Sequence, residues 1–304
     1  MPRCPADVTY FASGASAPHD MRGFVRALHP FGVSLPELSE AMVDELCGQG
    51  HLPLRVFVDT GAFSEVGPAP GGGLQVVAPI TDEAWRARLA VALRIARAFG
   101  NRATIVAPDR VADQTETLAR LRQYRTEVHA IRATGARIVV AIQMGEQAPA
   151  AFDAACCAAL GFDDFVRGIP GNKAAMPTRA LEEYLRAVQP PGVHLLGIGL
   201  ANRRLPGLLA MMRRVVPVAA LSCDSAMLAS QTGRCNGAGG GVRALTALQD
   251  EILADGVADA GEARTLAISS TLLLAKLLYG GFDILLAQGH AFWPPPRQPG
   301  LFDE

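Results

Sequence analysis

Short apolar runs rich in Val, Ile and Phe alternate along the chain with longer stretches whose apolar residues recur at helical spacing. The runs predict strands at Val8–Ala12, Leu54–Val58, Ala103–Ala107, Arg137–Ile142, Phe165–Ile169, His194–Gly199, Val216–Leu221 and Phe282–Ala287. A continuous apolar run marks a parallel strand buried on both faces. Helical patterns fill the intervals: 82–99, closed by Gly100; 115–133, closed by Gly135; 178–188, opened by Thr178 and stopped by Pro190-Pro191; 205–214; and 242–254. Eight strands with helices between them in 304 residues predict an α/β fold, a single (β/α)8 TIM-type barrel, rather than an open doubly wound sheet. A dinucleotide-binding sheet would carry G-x-G-x-x-G after its first strand, and Ser13-Gly14-Ala15-Ser16-Ala17 does not supply it. The barrel is expected over 1–292, and the Pro/Gly-rich stretch 293–304 reads as a loosely ordered tail.

Composition narrows the classes. With 28 basic and 29 acidic residues the formal charge is −1, so nothing draws the whole molecule to nucleic acid, and binding there would need local patches. Lysine occurs only at Lys173 and Lys276; the other basic residues are arginines. Six cysteines form no C-x-x-C pair and no Cys/His cluster with metal spacing, which predicts a reducing cytoplasm and no metal site. The N-terminus lacks the pattern of a signal peptide, and the apolar run 266–278 is too short to span a bilayer and reads as a buried helix.

Two of the apolar runs stop on an aspartate and then turn through small residues: Val56-Phe57-Val58-Asp59-Thr60-Gly61-Ala62-Phe63-Ser64 and Ala219-Ala220-Leu221-Ser222-Cys223-Asp224-Ser225. The C-terminal ends of barrel strands are where such folds place chemistry. A pair of carboxylates there suits nucleophilic or acid/base work at a sugar carbon. Three further sites fall at strand ends: Asp109 after Ile105-Val106-Ala107-Pro108, Gln143 after Ile138–Ile142, and Gly168-Ile169-Pro170-Gly171 after Phe165-Val166. Plainer roles stand beside these. Asp224 could cap a helix, and Asp109 with Asp113 could start the 115–133 helix. Gln143 could merely satisfy backbone groups, and His194, at the start of its predicted strand, reads as structural. Glycine-rich loops at 67–73 and 233–241 follow the two aspartates, as substrate-covering loops or as simple connections.

In order and rough spacing these five sites resemble the tRNA-guanine transglycosylase superfamily, whose members exchange guanine for a 7-deazaguanine in nucleic acid. The segment Asp59-Thr60-Gly61-Ala62-Phe63-Ser64 is similar to that family's Asp-Ser-Gly-Gly-Phe signature, and the resemblance runs from about residue 54 to 237. It implies a pentosyltransferase in which Asp224 is the nucleophile that holds a covalent glycosyl ester. Asp59 would then be the acid/base, Asp109 and Gln143 readers of the base, Gly168 and Gly171 backbone donors, and Phe63 a cover over the base. Members acting on tRNA carry zinc on clustered cysteines and a histidine after the nucleophile. Here only Cys235 and His290 follow, so no zinc or other cofactor is expected.

That difference points to the branch of the superfamily that modifies DNA, with a 7-deazaguanine as the incoming base. Nucleic acid (DNA favoured over tRNA) and partner proteins of a modification cluster are the implied partners. Arg203, Arg204, Arg234 and Arg243, with Arg213 and Arg214, could track phosphates or simply line a solvated helical face. The alternatives are a tRNA-acting enzyme, a non-catalytic subunit that holds a base or a partner chain, and a simple nucleoside or glycoside hydrolase.

Overall fold

The computed structural model describes residues 8–15, 17–199, 202, 204–226, 248–256 and 259–279. Among the described residues ten strands appear in chain order: β1 Val8–Ser13, β2 Phe31–Ser34, β3 Val56–Asp59, β4 Val66–Pro68, β5 Leu74–Val76, β6 Ala103–Val106, β7 Arg137–Ala141, β8 Val166–Pro170, β9 Gly192–Leu196 and β10 Ala220–Ala226. All but β4 and β5 are parallel and close into a barrel in the order β1-β10-β9-β8-β7-β6-β3-β2, with β1 bonded to both β10 and β2. The helices are α1 Pro18–Arg26, α2 Glu40–Gly48, α3 Asp82–Phe99, α4 Gln114–Gln123, α5 Arg125–Ala133, α6 Pro149–Leu160, α7 Thr178–Val188, α8 Leu205–Val215 and α9 Ala260–Tyr279. Residues 248–254 are also helical. The molecule is a single (β/α)8 barrel, as the alternation of runs predicts.

Local signals explain several boundaries. Thr81 caps α3, its hydroxyl accepting the Ala84 N–H at 3.2 Å, and Asp113 caps α4 by accepting the Glu116 N–H at 2.8 Å. The predicted helix 115–133 is broken at Tyr124, where the backbone leaves helical geometry at φ −102° and ψ 19°; α4 packs on α6 and α5 on α3. The glycine-rich segment 67–73 belongs to an antiparallel hairpin, β4 against β5, rather than to an irregular loop.

Strand assignment needs three corrections. β2, only four residues between Pro30 and Leu35, is too short to stand out as a run, yet it is bonded to β1 and β3 and completes the ring. The predicted strand Phe282–Ala287 lies outside the described residues, as do the loop 233–241 and the tail 293–304; the ring closes without that strand. β9 starts at Gly192, which puts His194 in mid-strand, and β10 starts at Ala220 because Val216–Ala219 form the turn after α8, where Val218 is 91% exposed.

Two apolar layers hold the fold. The outer one lies between strands and helices and includes Trp85, Leu89, Phe99, Phe152 and Phe165. The inner one fills the barrel with Phe11, Phe57, Val106 and Val139, flanked by Val166 and Leu196. Gly168 belongs here: a Cβ on it would lie 2.7 Å from Val139 Cγ1 and 3.1 Å from Leu196 Cδ1, so the barrel interior leaves room for no side chain. Behind β8, Arg167 pairs with Asp153 at 3.0 Å, and Tyr184 donates its hydroxyl to the same carboxylate, which ties β8 to α6 and α7. The run 266–278 falls in α9, which packs on α1 through Ile268. No helix among the described residues is long and apolar enough to cross a membrane.

Candidate active site

Alternation along a strand aims every second side chain into the barrel. Phe57 lies in the interior layer, so Asp59 two residues on emerges above it at the C-terminal rim. On β10 the same alternation lines up Ser222 and Asp224, and on β1 it lines up Phe11 and Ser13. Asp224 lies inside β10, where Phe11 is its register partner, and so does not cap a helix. It accepts the Ser13 hydroxyl at 3.1 Å on Oδ2 and the Gly197 N–H at 2.9 Å on Oδ1, and His194 Nε2 lies 3.1 Å from Oδ1. Ser13 and Gly197 donate, and His194 joins them when Nε2 carries the ring proton, a pattern that suits an ionised carboxylate.

Asp59 and Asp109 sit in the opposite environment. Burial pushes the Asp59 carboxyl up; the Gly61 N–H at 2.9 Å partly offsets this, and the charge of Asp224 adds to the rise. The turn after Asp59 needs a glycine, since Gly61 has φ +83° and a Cβ there would lie 2.3 Å from Pro36 Cγ. Asp109, only 7% exposed, is pushed up to about 7, first by burial and then by the neighbouring Asp59; Arg120 acts in the other direction. Their strands β3 and β6 are adjacent, whereas β10 is reached from β3 across β2 and β1. The rim therefore holds Asp59 and Asp109, whose carboxyls burial pushes up, on one side and the hydrogen-bonded Asp224 on the other.

A buried ion pair braces the first side. Glu65, fully buried, receives both terminal nitrogens of Arg120 at 2.6 and 2.8 Å and the Ile80 N–H at 2.7 Å. Burial alone would push the Glu65 carboxyl up, but these bonds hold it below the usual range. Arg120 also donates to the Asp109 carbonyl at 2.7 Å and lies 5.0 Å from the Trp85 ring centre. The loops after β3 and β6 are thus locked together, and Asp59 and Asp109 with them.

Several residues expected at the site are engaged elsewhere. Gln143 does not face a ligand: its Oε1 accepts the Ala112 N–H at 2.6 Å, and its Nε2 donates to Arg110 O at 2.9 Å and Thr117 Oγ1 at 3.1 Å, so the side chain braces the loop after β6. Phe63 stands 67% exposed on the turn after β3. The Gly171 N–H is spent on Leu196 O at 2.8 Å, and Gly168 is a packing glycine in mid-strand. Arg204 donates to the carbonyls of Gly171 and Met176, both at 2.7 Å, so it staples loops together rather than tracking phosphates. Arg203, Arg234 and Arg243 lie outside the described residues. Among the described residues no group of three His, Cys, Asp or Glu side chains is arranged to hold a metal ion.

The structure adds residues that the sequence did not assign to the site: Ser13, Gly197, Ser222, and His194, which the sequence marked only as structural. His194 is fully buried, with its ring stacked on Phe57 at 4.4 Å and 9° and its Nδ1 2.8 Å from Ser222 Oγ. The alternating pair Ser222-x-Asp224 was the available signal, but it is legible only once the bounds of β10 are known.

No protein-family model and no curated protein matches the chain. Solved structures do. A fructose-1,6-biphosphate aldolase candidate from Coccidioides immitis is 10% identical over 88% of this chain and 88% of its own, with a TM-score of 0.46. The N-acetylneuraminate lyase of Proteus mirabilis is 11% identical over 98% and 92%, with a TM-score of 0.40. A candidate member of the dihydrodipicolinate synthase family, also from Coccidioides immitis, is 13% identical over 98% and 90%, with a TM-score of 0.38.

At such identities the likeness is one of fold. The family expectation is corrected all the same: no family model matches the chain, and the solved structures it resembles are named as aldolases and lyases, not as guanine transglycosylases. The pentosyltransferase activity, the exchange of guanine for a 7-deazaguanine and the DNA-modifying role expected from the resemblance are set aside. The diverted Gln143 and Gly171 agree, for the groups expected to bond a base are bonded within the protein.

Proposed function

We propose that the protein is an acid–base enzyme of lyase type, which takes a proton from a small polar substrate in the barrel mouth and returns one at a neighbouring atom. One observation carries this reading: Ser13 and Gly197 donate to Asp224, while Asp59 and Asp109 are raised by burial. Paired groups whose surroundings push them toward opposite protonation states divide into base and acid. Asp224 takes the proton, leaving the electron pair on the substrate. Asp59, half-buried at the rim, gives its proton to the departing or rearranging group, with Asp109 behind it.

Imine catalysis is not part of the proposal, because it needs a lysine amine aimed into the barrel. Lys173 is exposed in the loop after β8, and Lys276 is on α9. Neither lies on a barrel strand. The adjacent, unpaired thiols of Cys156 and Cys157 suit work in a reducing compartment such as the cytoplasm.

Incubating the protein in deuterated water with small hydroxy acids, keto acids and polyols, and reading solvent deuterium or new products by NMR, tests the reading. Wild type should exchange or cleave one class, and Asp224→Asn and Asp59→Asn should each lose about 10²–10⁴-fold in rate. The wild-type rate should also fall as pH rises through about 7, where Asp109 gives up its proton. An undiminished rate in Asp224→Asn would overturn the proposal.

A further inference from the structure

Among the described residues, the waist of the barrel is lined by large inward-facing side chains. Phe11, Phe57, Val106, Val139, Val166 and Leu196 are apolar. His194, fully buried among them, is not. A histidine with two polar nitrogens is costly in such a place unless both are hydrogen-bonded, and a leucine or phenylalanine would fill the space without that cost.

Both nitrogens are in fact used, and they are used in line. Nε2 reaches Asp224 Oδ1 at 3.1 Å and Nδ1 reaches Ser222 Oγ at 2.8 Å. A carboxylate has no proton to offer, so Nε2 carries the proton of the first contact. In the neutral ring Nδ1 is then left to accept the Ser222 hydroxyl. Strand register enforces the arrangement, because Ser222 and His194 are paired residues of β10 and β9. The Phe57 ring, stacked 4.4 Å away, fixes the imidazole plane, and Phe11 closes a second side at 6.1 Å.

We propose that His194, held by Ser222 and clamped on Phe57, is a positioning residue for Asp224: its Nε2 proton fixes the carboxylate in the rotamer that faces Asp59 across the barrel mouth. Ser13 and Gly197 complete the cradle from β1 and from the turn after β9. The rotamer assignment rests on the acid–base reading given above; the direction of the His194 proton does not. Ser222 acts at one remove by setting the tautomer, as partners of metal-bound or catalytic histidines do.

Two isosteric choices separate positioning from packing. Phenylalanine at 194 keeps the stack on Phe57 and loses the donor; glutamine keeps a donor near Nε2 and loses the stack. For a merely structural histidine, His194→Phe should be the more stable and the more active variant. For a positioning histidine, His194→Phe should keep its melting temperature yet lose about 10–100-fold in the deuterium-exchange rate, while His194→Gln, although less stable, recovers much of it.

Nitrogen NMR of the protein with 15N-labelled histidine rings gives a readout that needs no substrate. His194 should be the Nε2–H tautomer in wild type and a mixture of tautomers in Ser222→Ala. Finding the Nδ1–H tautomer in wild type would overturn the inference. So would equal exchange rates in wild type and His194→Phe while Asp224→Asn is inactive, an outcome that leaves the acid–base reading standing. An active Asp224→Asn overturns both the base and the residue that positions it, whereas the tautomer result then still decides where the ring proton points.

Discussion

Asp109 shows how one residue can be suited to its chemistry and costly to the fold. Its carboxyl is raised from the ordinary 3.8 to about 7, so the folded protein binds this proton more tightly than the unfolded chain does. Stability from that proton is fully present below the unfolded value and is lost as pH rises through about 7. Asp109→Asn cannot ionise. It should therefore be more stable than wild type at about pH 8, by up to the order of 4 kcal/mol, and nearly equal to it at about pH 4. Urea unfolding at the two pH values checks this; a difference that did not change with pH would show that burial is not what holds the proton. The three aspartates themselves were legible in the sequence as polar stops on apolar strands. What they touch was not. Gln143 occupies the same kind of position, yet it is consumed by Arg110, Ala112 and Thr117, because a loop folding back over the strand end brings unsatisfied backbone groups within its reach.

At the scale of elements, long periodic stretches read true. Both α3 and α7 match the predicted spans 82–99 and 178–188, since eleven or more residues of amphipathic pattern leave little room for another reading. Four-residue β2 carries too few positions to show a period, and the offset in β9 hid His194 in mid-strand. Glycines in strands were ambiguous for the same reason. Gly168 was expected to bring its backbone to a ligand, and it instead makes room for Val139 and Leu196. Gly168→Ala should cost about 1–3 kcal/mol by overpacking the barrel interior, read as a lower urea midpoint with an unchanged slope. A neutral substitution would mean that β7 and β9 give way, and that the waist is looser than the contacts indicate.

For the whole molecule the decisive event is closure, which joins β1 to β10 in parallel and sets Phe11 opposite Asp224.

 Ser13 and Asp224, 211 residues apart in sequence, seal that seam with a 3.1 Å hydrogen bond. Outside it, α9 lies on α1: Arg264 pairs with Asp20 at 2.9 Å, and Gly23 admits Ile268 so closely that a Cβ would sit 2.7 Å from it. Gly23→Ala gains about 1 kcal/mol of helix propensity but should lose more by forcing the two helices apart, for a net drop in melting temperature. Combining it with Ile268→Ala should cost less than the sum of the two single changes, since the double variant removes the obstruction, and strict additivity would rule out the contact as the cause. By itself the sequence determined the fold class and the placing of three carboxylates at strand ends, because buried parallel strands and amphipathic helices write their periods locally. Only the tertiary structure decided which strands close the ring, that His194 and Ser222 stand beneath Asp224, and that Gln143, Gly171 and Arg204 are spent on loops. Those outcomes depend on contacts between segments far apart in the chain, and local pattern carries no record of them.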